Sequence, residues 1–133
     1  MIERMDLFRA LAARRTDEIV VMTMTATLQW PLLSTHELDF DFLAFGMGHA
    51  GDFGLGLALA RPERKTIVLT GDGGQPLPPR VDFAALARAA GFEGGGATGK
   101  GKVERIETLA EFRDALPRLL AEEGPHFVVL PVT

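Results

Sequence analysis

The stretch GMGHAGDFGLGLALARPERKTIVLTGDGG, residues 46–74, sets two glycine-rich turns around one helix and one strand. Residues 49–60 hold Phe53, Leu55, Leu57 and Leu59 among glycines and alanines. Such a helix tolerates its glycines because small residues let it pack closely. The turn RPER at 61–64 stops it. KTIVLT at 65–70 is apolar and β-branched without alternation, the pattern of a strand buried on both faces. It is the clearest buried strand in the chain, and a turn follows it at once.

The same alternation continues outward in both directions. Upstream, Met5, Leu7, Phe8, Leu11 and Ala12 form one apolar stripe, so residues 2–15 predict an amphipathic helix. EIVVMTM at 18–24 predicts a buried strand. Residues 25–36, with Pro31 and several polar side chains, predict a loop, and 40–45 a short strand entering Gly46. Downstream, 71–80 is built of turn residues. Asp82 caps a helix that runs through Ala90 and ends at Gly91. Residues 94–101 are glycine-rich, and 103–106 form a short strand. Thr108 followed by Glu111 is a capping-box pattern. The helix it opens carries Leu109, Phe112, Leu116, Leu119 and Leu120 and ends near Gly124, and 126–132 form a last strand. Strands alternating with helices predict an α/β fold, an open parallel sheet with helices on both faces, in a single domain over 1–133.

Composition narrows the function classes. The 133 residues are 47% hydrophobic, enough for one sizeable core. A formal charge of −4 gives no electrostatic reason to expect nucleic acid or an anionic membrane as partner. Cysteine is absent, which excludes disulfides and thiolate chemistry and suits a reducing cytoplasm. No apolar run reaches bilayer length, and the opening MIERMDLFRALAARR is not a secretory signal. The expectation is a cytoplasmic protein.

Two sites have the chemistry to bind a ligand. Gly46, Gly48 and Gly51 match G-x-G-x-x-G between a strand and a helix, where unpaired N–H groups face an anion. The same glycines equally serve a tight turn and close packing. TGDGG at 70–74 leaves the carboxyl end of the strongest strand, the edge at which open parallel sheets bind ligands. Asp72 between glycines can hold a magnesium ion shared with a phosphate, or can be a solvated turn residue. A nicotinamide-binding reading stays open, because Asp72 lies 21 residues after Gly51, near the spacing of a ribose-binding acid. Against it, a helix and a strand precede the fingerprint, and glycines flank the acid as if something bulky and charged came close.

MGHAGDFGLGLALARPERKTIVLTGDG resembles the corresponding segment of thiamine-pyrophosphate-dependent enzymes. GGQPLPPRVDFAALARAAGF is similar to a later segment of the small sulfopyruvate and phosphonopyruvate decarboxylases and their relatives, and MTMTAT fits their first strand end. The resemblance spans nearly the whole chain and rests on two separated blocks in the right order. It implies the cofactor-binding half of a 2-oxoacid decarboxylase. Asp72 is then the magnesium ligand, and Gly71 and Gly73 let the diphosphate approach. Met47 is the apolar wedge that bends the cofactor, or else a packing residue, and Gly46, Gly48 and His49 are its backbone neighbours around the pyrimidine. The resemblance also implies thiamine pyrophosphate and Mg2+ as cofactors and a small 2-oxoacid as substrate. An alpha-type partner subunit, bearing the pyrimidine-binding (PYR) domain, would supply the activating glutamate, and the assembly would be an oligomer.

One departure is as informative as the match. In the family a helix and a strand ending in asparagine, the second magnesium ligand, follow GDG. Here Gly73 runs straight into Gly74 of the later block, so about thirty residues, one helix–strand unit, are missing. The sequence contains no asparagine, and Gln75 belongs to the later block. Either the deletion is genuine and the site is a remnant, or the natural chain carries residues between Gly73 and Gly74 beyond the 133 given. Loss of a central strand would open a buried sheet, which favours the second.

The remaining residues are weaker candidates. Thr23, Thr25 and Thr27 stand at a strand end where substrate or diphosphate oxygens could bind, or are structural. His36 and His126 have no metal-like spacing with His49. Trp30 and Phe42 are expected to pack, and Glu122 and Glu123 to form a solvated helix end.

Overall fold

The computed structural model describes residues 1–42, 48–70, 82–94 and 99–132. It divides into two compact units, Arg15–Leu77 and a second one made of Met1–Arg14 with Pro78–Thr133. Each unit is α/β with a small parallel sheet.

In the first unit β1 (Ile19–Met22) lies between β2 (Asp39–Asp41) and β3 (Thr66–Leu69), all parallel. Parallel neighbours need crossovers. Between β1 and β2 these are a short helix α2 (Thr25–Gln29) and a 3-10 turn (Trp30–Leu32); between β2 and β3 it is α3 (Ala50–Ala60). As the central strand, β1 is buried at every position. Ile19 and Val21 form a cluster with Ala50, against which Phe40, Phe42, Phe53, Leu57 and Val68 pack. Period-two geometry turns Val20 and Met22 to the other face, where they are buried too. The glycines of α3 differ in purpose. A Cβ on Gly54 would stand 2.4 Å from Cγ2 of Val68, so only glycine allows this helix to lie so close to β3. A Cβ on Gly51 or Gly56 would meet nothing within 4 Å.

The second unit pairs β4 (Lys102–Arg105) with β5 (His126–Val129), again parallel, with α5 (Leu109–Ala121) as the crossover. α4 (Phe83–Ala89) covers the pair through Ala84 and Ala87, which cluster with Val103 and carry Phe92, Phe127 and Val129 against them. α1 (Arg4–Ala12) packs against α5, and Ile2 bridges to Val132. Both predicted caps are present. Asp82 accepts the N–H groups of Ala84 and Ala85 at 3.0 Å each. Thr108 and Glu111 exchange reciprocal hydrogen bonds at 3.2 Å.

The α/β class with parallel strands is as expected, and among the described residues the strands pair in one sheet of three and one of two. Two expectations need correction. First, the segment 25–36 is not all loop, since it contains α2 and the 3-10 turn. Pro31 sits in the first turn of that 3-10 helix, where no N–H is needed, so it breaks nothing. Second, β3 has the composition of a strand buried on both faces, yet each of its four residues is only half-buried. Among the described residues it pairs with β1 alone. The helix ends and the last strand are shorter than expected by a few residues. Among the described residues no helix is long and apolar enough to cross a membrane.

Candidate functional site

The order β2-β1-β3 makes the chain leave β1 toward one neighbour and come back, through α3, to the other. In open parallel sheets such a reversal marks where ligands are received, at the carboxyl ends of the strands on either side of it, here β1 and β3. The two ends are held level, since the Thr23 N–H donates to the Leu69 carbonyl at 3.2 Å.

Three features mark the end of β1. Thr23 is 1% exposed, and its hydroxyl has no hydrogen-bond partner among the described residues. A buried hydroxyl left unpaired costs about 1–3 kcal/mol. Met24, next in the chain, has φ 56° and ψ −129°, a conformation that suits glycine and strains a side-chain-bearing residue. Such strain costs of order 1–3 kcal/mol and concentrates at functional sites. Thr27 is buried and donates its hydroxyl to the Met24 carbonyl at 2.7 Å, so its role is to hold this turn. Thr25, the first residue of α2, is exposed. Among the described residues, Thr23 is the one candidate threonine of the three with a buried hydroxyl that has no partner.

Gly71, Asp72 and Gly73 follow Thr70 directly, but they lie outside the described residues, as do Gly46 and Met47. Gly48 and His49 are described and exposed. His49 is the N-cap residue of α3 and stands 3.1 Å through Nδ1 from Oδ2 of Asp52, also exposed. Among the described residues no group of three His, Asp or Glu side chains could hold a metal ion. At the end of β2, Phe42 stacks on Phe53 with centroids 4.8 Å apart, and Phe40 tilts against the same ring at 6.0 Å. Phe42 and the fully buried Trp30 thus pack as expected.

The opposite, amino-terminal edge of the sheet is tied by a polar network that no local sequence pattern indicates. Arg15, almost fully buried, stands 2.5 Å from Asp39 and donates twice to the Glu18 carbonyl. Ser34 donates to the second Asp39 oxygen at 2.6 Å. A buried charge needs an opposite charge beside it, so this cluster anchors the starts of β1 and β2 and is not a free reactive group.

Elsewhere, His36 accepts the Leu38 N–H at 3.1 Å and shapes a turn. Glu122 and Glu123 do more than solvate a helix end. Glu122 takes Lys102 at 2.6 Å, and Glu123 takes Lys100 at 2.9 Å. These hydrogen bonds hold both carboxyls below the usual carboxylate range.

No family model, no curated protein and no solved structure matches this chain.

Proposed function

We propose that this chain is the thiamine-pyrophosphate-binding subunit of a 2-oxoacid decarboxylase-like lyase, of the kind of the sulfopyruvate and phosphonopyruvate decarboxylases it resembles in sequence. The observation that carries the reading is the edge where β1 and β3 end together. There an unpaired buried hydroxyl on Thr23 and a strained Met24 lie on β1's side, and the TGDGG segment begins on β3's side. A buried donor without a partner among the described residues, at the edge where a glycine–aspartate–glycine sequence begins, suits a ligand rich in oxygen atoms, as a diphosphate is.

Asp72 would hold the magnesium ion, and Gly71 and Gly73 would leave room for the diphosphate. Gly46, Met47, Gly48 and His49 would border the cofactor rings. When bound, the coenzyme supplies the electron sink that lets carbon dioxide leave a 2-oxoacid. The chain's own part is to anchor, bend and screen the coenzyme. Activation of the pyrimidine falls to a glutamate on an alpha-type partner subunit, so the chain alone is catalytically incomplete, and a cytoplasmic oligomer is the working form.

Strand order favours this reading over a nicotinamide protein. In the dinucleotide fold the ribose-binding acid ends the strand beside the fingerprint strand. Here the fingerprint follows β2 and Asp72 follows β3, and β1 lies between them. The strands that these two segments follow, β2 and β3, are two strand spacings apart, roughly 10 Å. A third reading, an inactive remnant, draws on the missing asparagine. The half-burial of every β3 residue argues instead for a further strand beside it, in residues between Gly73 and Gly74. An intact mass about 3 kDa above 14.4 kDa would identify those residues.

Calorimetric titration with thiamine pyrophosphate and MgCl2, and separately with NAD, tests the function. The expected result is magnesium-dependent binding of the coenzyme that Asp72→Ala removes. Binding of NAD without binding of thiamine pyrophosphate overturns the proposal, and unchanged affinity in Asp72→Ala removes Asp72 from the metal site.

A further inference from the structure

We draw no further inference here: the strongest candidate, the solvent-facing side of α3 with Leu55, Gly56 and Leu59, is an apolar helix face, and nothing in the structure shows what covers it.

Discussion

The amide of Thr23 and the carbonyl of Leu69 form the last hydrogen bond between β1 and β3, and the chain changes character immediately beyond it. On one side the next residue, Met24, takes a glycine-like conformation. On the other, Thr70 opens a run of glycines around Asp72. Regular pairing runs up to this bond, and the local costs at Thr23 and Met24 fall just beyond it, at the carboxyl end of β1.

Thr23→Val keeps the side-chain shape and deletes the unpaired hydroxyl. Without a ligand the variant should match the parent or gain up to about 1 kcal/mol in urea unfolding, because a buried unsatisfied donor is removed. Affinity for thiamine pyrophosphate with magnesium should fall several-fold. A clear loss of stability with unchanged affinity would show that the hydroxyl already has a structural partner.

Met24 separates strain from packing. Glycine suits φ 56° and ψ −129°, so Met24→Gly should offset its entropic cost, roughly 1 kcal/mol, by the strain it relieves. Met24→Val keeps the strain and adds β-branching, and should lose about 2 kcal/mol or more. Thermal unfolding of the pair checks this. Equal destabilisation by both substitutions would mean that the side chain, not the backbone, decides this position.

How much of this could be read beforehand depended on how local each interaction is. Asp82 and Thr108 bond to amides two or three residues away, so their type and spacing are sufficient to place α4 and α5. β3 was recognisable as a strand from its β-branched apolar run. Its half-burial was not, because burial depends on neighbours distant in sequence. The Arg15–Asp39 pair spans 24 residues and has no motif. At the end of β1, three threonines were candidates by position alone. Their type and spacing did not separate Thr23, without a partner among the described residues, from Thr27, bonded to the Met24 carbonyl. Pro31 misled in the other direction, since a proline in a first helical turn looks like a loop signal.

The two classes of glycine in α3 should respond oppositely to alanine. Gly54→Ala drives a methyl group into Val68, at 2.4 Å before any relaxation, and should cost about 1–3 kcal/mol. Gly56→Ala meets open space and should gain roughly 0.5–1 kcal/mol from helix propensity. Pairing Gly54→Ala with Val68→Ala should return part of the loss, since the clash is with a side chain. Urea midpoints of the four proteins decide it. An equal response at positions 54 and 56 would contradict the close contact between α3 and β3.

The acid response of the second unit turns on Glu104 of β4, gripped by both terminal nitrogens of Arg118 of α5, at 2.9 and 2.6 Å. The Arg118 hydrogen bonds hold the Glu104 carboxyl below its usual 4.5, and the charges of Arg118, His126 and Lys102 act in the same direction. A carboxyl lowered on folding adds stability above its unfolded value, where it is ionised in both states. That stability is lost as the pH falls through the lower folded value. Both side chains are partly exposed, so screening keeps the contribution small. Glu104→Gln should therefore cost less than about 1 kcal/mol at neutral pH. The variant and the parent should converge in acid once the pH is below the lowered folded value, where unfolded and folded carboxyls are both protonated. Urea unfolding at neutral pH and in acid measures the two gaps. A gap of the same size at both would mean that the pair acts through packing of its chains and not through its charge.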